Sequence, residues 1–346
     1  MIRVYLIIVY TFIISLCIAQ KNSTTEYFEA KRLYQQFLRT HSNTIITPNT
    51  PLHYLSWGKD TSPTIFWLHG SYSNSLEIEP FAEKFTAIGY QVISMDYYGH
   101  GCSPYTADAL SLDNLLEDIN TLREHLRLDK IVLGGFSRGA YIATSYYKKY
   151  PNNVHTLILE DGGVGPFLEN IVNMNSQKLK DFVQSELNNR PTELFDLYDS
   201  EYEAFEAIHK YAENSPHDLY KNFHSIQLKQ NKKYSIYLGL DTIYGMESFN
   251  SLSHLVKKKL FKNPFANQLM EVDYNHVIQN ITIPTLLLEA RGANDFLDDK
   301  SYYELLKDNN INIQHHFFKH SNHNIHFDEP KQFISTIINF LNINRP

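Results

Sequence analysis

Short apolar runs alternate with amphipathic stretches along most of this chain. Leu52–Trp57, Thr64–Leu68, Gln91–Met95, Lys130–Gly134, His155–Leu159, Ile283–Glu289 and Ile311–Phe318 read as strands. Thr64–Leu68, Thr-Ile-Phe-Trp-Leu, has the pattern of a strand buried on both faces of a parallel sheet. The intervening stretches carry helical spacing. Ile78, Phe81, Phe85 and Ile88 share one face of Glu77–Ile88, and Gly89 ends that helix. Leu115, Leu116, Ile119, Leu122 and Leu126 do the same in Asp113–Leu128. Arg138–Tyr150 is closed by Pro151, Asp298–Leu306 is a further helix, and Glu329-Pro330 opens the last one, Asp328–Leu341. Strand and helix in alternation predict an α/β fold: a mostly parallel sheet with helices on both faces.

The alternation breaks at Gly165-Pro166. To about Phe265 the chain shows helical segments, Phe167–Leu187, Pro191–Ala212 and Phe249–Phe261, and no buried strand. This reads as a helical cap inserted over the active-site end of the sheet. The α/β core is then 52–164 together with 266–346, and the cap is 165–265. Residues 20–51 form an extension in which Phe28, Leu33, Tyr34, Phe37 and Leu38 mark an amphipathic helix over Lys21–Arg39. Residues 1–19 differ from all of this. Arg3 precedes an almost wholly apolar Val4–Leu16, and small residues stand at Cys17 and Ala19 before Gln20. The expectation is a cleavable signal peptide and a secreted or periplasmic protein, with membrane attachment only if the segment is retained.

Composition narrows the function without naming it. A hydrophobic content of 43% and a charged content of 20% over 346 residues suit a globular chain with a large core. The net charge of −7, with scattered basic residues, argues against a nucleic-acid partner. Leader removal would take Cys17 and leave Cys102 alone, so no intramolecular disulfide could form. Asn22-Ser23-Thr24 and Asn280-Ile281-Thr282 match the glycosylation triplet, a frequent pattern in an Asn-rich chain.

The chemistry is concentrated at strand ends. Ile131–Gly134 runs into Gly135-Phe136-Ser137-Arg138-Gly139, a Gly-x-Ser-x-Gly turn between strand and helix. Such a turn lifts a serine hydroxyl out of the sheet, and its glycines avoid collisions with neighbouring backbone. A serine needs a base within hydrogen-bond reach and a third group to orient that base. Thr64–Leu68 ends in His69-Gly70-Ser71, and Gln91–Met95 leads into Asp96-Tyr97-Tyr98-Gly99-His100-Gly101-Cys102-Ser103. Arg291-Gly292-Ala293-Asn294-Asp295 follows a later strand, and five histidines, 315, 316, 320, 323 and 326, crowd the last strand and its loop. Clustered histidines also raise a metal site as a competing reading.

These five segments, in this order, resemble the α/β-hydrolase superfamily, in its serine-hydrolase form with a cap. The resemblance runs from about Leu52 to Pro346, the cap matching in position only, and leaves the N-terminal helix outside it. It implies a triad of Ser137, Asp295 and His323. The family ending, a His seven residues before a Pro that an acidic residue precedes, fits His323 with Glu329-Pro330 and not His320 or His326. Asp161, which ends the strand after the nucleophile's helix, is the rival acid, because some relatives draw the acid from there. Asp96 is expected to tie its loop, and His326 to support the histidine loop. The implied oxyanion donors are the backbone amides of Ser71 and Arg138. The implied activity is hydrolysis of a small-molecule carboxylic ester or related acyl compound through an acyl-enzyme, with no cofactor and no metal. Amide or peptide hydrolysis, carbon–carbon hydrolysis and acyl transfer use the same triad. A non-catalytic hydrolase-fold binding protein is the remaining reading. Serine in place of aspartate argues against epoxide-hydrolase chemistry.

Overall fold

The computed structural model describes residues 24–105, 110–167, 174–189, 196–211, 218–229, 231–236, 264–292, 303, 306 and 310–346. It divides into two compact units. The larger comprises Asn43–Pro191 and Tyr237–Pro346, and the smaller Met1–Ser42 and Thr192–Ile236.

The larger unit is built on an eight-stranded sheet in the order β1-β2-β4-β3-β5-β6-β10-β11. Its strands are β1 (Ser42–Ile46), β2 (Pro51–Trp57), β3 (Thr64–Leu68), β4 (Gln91–Met95), β5 (Ile131–Phe136), β6 (Val154–Glu160), β10 (Thr285–Ala290) and β11 (Ile313–Phe318). β2 runs antiparallel to β4. From β4 through β3, β5, β6 and β10 to β11 every pairing is parallel. All five residues of β3 and all six of β5 are buried, as strands covered on both faces must be. The expected strands are therefore present, and β1 is added at the edge. Its sequence, Ser-Asn-Thr-Ile-Ile, is too polar and too short to announce itself.

The order of strands locates the site. The chain goes from β3 to β4 on one side, then crosses back to place β5, β6, β10 and β11 on the other. The reversal lies between β3 and β5. In open parallel sheets a crevice forms at the carboxyl ends of strands at such a point, and ligands bind there. The loops after β3 and β5 are His69-Gly70-Ser71 and the serine turn.

Helices cover the sheet with the faces the spacing predicted. α2 (Glu79–Ala87) buries Phe81, Ala82 and Phe85. α3 (Leu112–His125) buries Leu115, Leu116, Ile119 and Leu122, and the Ser111 side chain caps it by accepting the Asn114 N–H. α4 (Arg138–Lys149) is buried along nearly its whole length. The loop after β4 is tied as expected: Asp96 Oδ1 accepts the Ser75 N–H at 2.7 Å, and Oδ2 accepts Cys102 N–H at 3.0 Å and pairs with His53 Nδ1 at 2.7 Å.

The smaller unit differs from the expectation of helices alone. Helix α1 (24–41) turns Tyr27, Ala30 and Tyr34 inward against Phe205 and Phe223. Tyr27 Oη donates to Glu201 at 2.8 Å, Lys31 pairs with the same carboxylate, and Tyr34 Oη meets His224 Nδ1 at 2.9 Å. Beside α6 (Glu201–Tyr211) lies a three-stranded antiparallel sheet, β7 (Leu197–Tyr198), β9 (Tyr234–Ile236) and β8 (Ile226–Leu228). Strands of two or three residues leave no periodicity to read. α5 (Ser176–Asn189) belongs to the larger unit, so the stretch 165–265 is divided between the two units. The helix expected at Phe249–Phe261 lies outside the described residues, as do residues 1–23. Among the described residues no helix is long and apolar enough to cross a membrane.

Candidate active site

Ser137 stands between β5 and α4 with φ 51° and ψ −120°. A positive φ on a residue with a Cβ costs of order 1–3 kcal/mol and survives only where its surroundings enforce it. Here they do. The Ser137 N–H donates to the Glu160 carbonyl at 2.8 Å, and its own carbonyl accepts Ala140 N–H at 2.9 Å. The flanking glycines allow the close approach: a Cβ on Gly139 would lie 2.0 Å from the Leu68 carbonyl oxygen, and one on Gly135 2.5 Å from that of Gly139. Ser137 keeps partial exposure although its neighbours are buried.

His323 reaches this serine from the loop after β11. Its Nε2 lies 2.8 Å from Ser137 Oγ, and its Nδ1 lies 2.6 Å from Asp161 Oδ2. A carboxylate on Nδ1 makes that nitrogen the proton carrier, so the Nε2 lone pair faces the hydroxyl. Among the described residues, the carboxylate at hydrogen-bond distance from Nδ1 is Asp161, the rival of the expected acid Asp295. Residues 293–300, Asp295 included, lie outside the described residues. The physical reason is strand adjacency. β6 lies beside β5, so the residue that ends β6 emerges next to the one that ends β5. Asp161 also meets the Ser, Asp, His order, so chain order could not separate the two acids. The signal that could have found it was Glu160-Asp161-Gly162-Gly163, an acid and a glycine pair closing the neighbouring buried strand.

Asp161 is held as firmly as its histidine. Its N–H donates to the Leu288 carbonyl at 2.8 Å, and its Oδ1 accepts the Ala290 N–H at 2.9 Å. It is 2% exposed. Burial pushes its carboxyl above the ordinary 3.8, while the His323 contact and the Ala290 amide pull it back. A carboxylate in so dry a place interacts strongly with a charge that forms on the imidazole.

The loop that carries His323 is anchored by the acids near its end. Asp328 Oδ2 accepts the Asn322 N–H at 2.8 Å, and Glu329 Oε1 accepts Ser321 Oγ at 3.0 Å. Pro330 then opens α8 (Pro330–Ile343), following the short α7 (Ile325–Asp328). The other histidines go separate ways. His326 gives both its N–H and Nδ1 to Glu160 Oε1, at 2.9 and 2.7 Å, which supports the loop as expected. His315 Nε2 pairs with Glu289 at 2.6 Å, and His316 Nε2 with Gln332 at 2.8 Å. The His320 side chain is not joined to these pairs, and its N–H donates to Glu329.

Of the two amides expected to bind an oxyanion, Arg138 N lies at the first residue of α4, directly after Ser137. Ser71 follows Gly70, whose own N–H is already taken by Glu77 Oε2 at 2.9 Å. The Arg138 side chain is buried, with Nη2 2.9 Å from His100 Nε2. His100 Nδ1 faces the Tyr98 carbonyl at 3.1 Å, so Nδ1 carries the proton and Nε2 accepts. Burial, then the Arg138 charge, holds His100 well below its ordinary value, and the ring is neutral. Glu77, Glu160 and the pairing of His326 were not legible as site features: the Glu160–His326 contact spans 166 residues, and the Glu77 contacts depend on how the loop after β3 folds back.

A family model described as alpha/beta hydrolase fold matches residues 63–330. Among curated proteins, the chain is 31% identical over 113 residues to epoxide hydrolase 1 of Caenorhabditis elegans, covering 31% of this chain and 27% of that protein. It is 25% identical over 290 residues to the proline iminopeptidase PfmaB of Pestalotiopsis fici, covering 80% of this chain and 91% of that protein. Among solved structures, E-2-(acetamidomethylene)succinate hydrolase superposes with a TM-score of 0.63 at 17% identity, over 87% of this chain and 98% of that one. The esterase EaEST of Exiguobacterium antarcticum gives 0.58 at 21% identity, over 87% and 99%. At these identities the structural likenesses speak for the fold alone.

Proposed function

We propose that this chain, a hydrolase that belongs to the α/β-hydrolase family, cleaves a carboxylic ester or related acyl compound through Ser137, His323 and Asp161. The observation that carries the reading is the relay itself: Ser137 Oγ at 2.8 Å from His323 Nε2, and His323 Nδ1 at 2.6 Å from Asp161. Ser137 Oγ attacks the acyl carbonyl while Nε2 takes its proton. Asp161 stabilises the imidazolium. The amides of Arg138 and Ser71 hold the oxyanion, each worth about 10²–10³ in rate by analogy with other serine hydrolases. Nε2 returns its proton to the leaving alkoxide, and the alcohol departs. Water then repeats the sequence on the acyl-enzyme, releasing the acid and restoring Ser137.

The match over 91% of a proline iminopeptidase favours one second reading, hydrolysis of an N-terminal amide. Both readings use the same residues and differ in the leaving group. The epoxide hydrolase match covers 27% of that protein and supports no activity here. The apolar Val4–Leu16 and the small residues at 17 and 19 support removal of residues 1–19 on export, which N-terminal sequencing of the expressed protein tests.

The test is labelling by a fluorophosphonate, followed by turnover of chromophoric esters of increasing acyl length and of a prolyl arylamide. Wild type is expected to label at Ser137 and to hydrolyse the esters, and Ser137→Ala to do neither. Labelling with turnover confined to the arylamide selects the peptidase reading. An unlabelled Ser137 in folded protein removes both.

A further inference from the structure

Behind the triad lies a second set of buried ionisable groups that the acyl-transfer steps leave unused. Glu77 is buried, and each oxygen of its carboxyl has a donor. Trp67 Nε1–H reaches Oε1 at 2.8 Å, and Gly70 N–H reaches Oε2 at 2.9 Å. Gly70 is the residue before Ser71. Glu77 therefore grips the loop one peptide away from the amide assigned to the oxyanion.

Packing closes on the same point from the other side. A Cβ on Gly70 would lie 2.6 Å from Phe136 Cδ1 and 3.4 Å from Glu77 Oε2. Phe136 also meets both loop histidines, with ring centroids 4.8 Å from His323 and 4.9 Å from His326. His326 is buried, held by Glu160 on Nδ1, and its Nε2 has no hydrogen-bond partner among the described residues. Glu160 precedes Asp161 and accepts the Ser137 N–H on its carbonyl. Burial pushes the Glu77 carboxyl above its ordinary 4.5, while the charge of His326 and the Gly70 and Trp67 donors pull it back.

We propose that Glu77 is a positioning residue for the oxyanion loop: its carboxylate holds the Gly70 amide so that the Ser71 amide faces the developing oxyanion. The inference rests on the acyl-hydrolase reading above. A carboxylate is required because only an acceptor at both oxygens satisfies two N–H donors. A glutamine presents an NH₂ to one of them. Its single carbonyl must choose between Trp67 and Gly70, and the loop is released whenever Trp67 wins.

This gives a test that a merely structural role would not pass. In Glu77→Gln, kcat on the preferred ester should fall by about 10–100-fold with KM within about three-fold, since the loss is confined to the transition state. Trp67→Phe alone should lower kcat by about three-fold or less, because Gly70 keeps its acceptor. In the double variant the glutamine carbonyl is left with Gly70 alone, so kcat should rise at least about five-fold above Glu77→Gln, a negative interaction in the cycle. Additive losses that track a falling Tm would assign Glu77 to packing and overturn the proposal. So would a folded Glu77→Gln with wild-type kcat. If Glu77→Gln does not fold, Glu77→Asp is the second variant. Its shorter carboxylate cannot reach both donors, and unchanged kcat in it overturns the proposal. Wild type and Ser137→Ala are run alongside. Loss of Ser137-dependent turnover in wild type defeats the acyl-hydrolase reading, whereas a failure confined to the Glu77 variants defeats this inference alone.

Discussion

Two histidine–carboxylate pairs stand side by side in this molecule, and they are built from the same parts. His323 pairs with Asp161 at 2.6 Å, and His326 pairs with Glu160 at 2.7 Å. The histidines lie three residues apart on one loop, and the carboxylates are consecutive at the end of β6. What differs is the third partner and the access to solvent. The His323 side chain is 13% exposed and meets Ser137 Oγ, whereas that of His326 is 2% exposed and its Nε2 meets no partner among the described residues. Asp161 lies one residue beyond β6 with φ 43°, and its carboxyl meets His323 while that of Glu160 meets His326. One pair reaches the serine hydroxyl, and its neighbour braces the loop from the interior. Residue type and spacing alone do not assign catalysis.

Removing the nucleophile should have the largest effect. Ser137→Ala is expected to abolish fluorophosphonate labelling and to lower kcat by about 10⁶-fold, read by ester turnover against the uncatalysed rate. Asp161→Asn should come next, at about 10⁴-fold in kcat, because an amide on Nδ1 permits the wrong imidazole tautomer. Asp295→Asn should stay within about ten-fold of wild type, and a reversal of these two results would restore the acid assignment made from the sequence. His326→Gln should lower kcat by about ten-fold or less yet cost about 3 kcal/mol of stability in urea titration, since it leaves Glu160 buried beside a neutral partner. The smallest effect belongs to His320→Ala. It should leave labelling and kcat within about two-fold, and a large loss there would move the catalytic base away from His323.

The bracing pair has a pH signature. Glu160, reinforced by Glu77 and Asp328, raises His326 above its ordinary 6.5 despite its burial. A base whose native pKa is raised stabilises the fold fully below its unfolded pKa and loses that contribution as pH rises through the native value. The Tm gap between wild type and His326→Gln should therefore be widest near about pH 6 and narrow towards about pH 9. A gap that widens with pH would mean that His326 is neutral in the fold and braces the loop by hydrogen bonding alone.

Much of this protein was determined by its sequence alone. The buried strands, the covering helices and the Gly135–Gly139 turn are local patterns, set by periodicity and by glycine where only glycine fits. Ser137 stands out by its turn, and His323 by the resemblance of its run to Glu329-Pro330 to the family ending. The choice of Asp161 was tertiary. It depends on β6 lying beside β5, and strand order across a sheet is settled by packing between segments far apart in the chain. The smaller unit was tertiary for the same reason. Helix α1 reads as amphipathic, but its apolar face names no partner, and only the fold supplies Phe205 and Phe223 from residues more than 160 positions away. Glu77 is the sharpest case. Seven residues beyond Gly70 it reads as one more charge at a helix start, and it becomes part of the site only because the chain folds Trp67 and Gly70 onto its two oxygens.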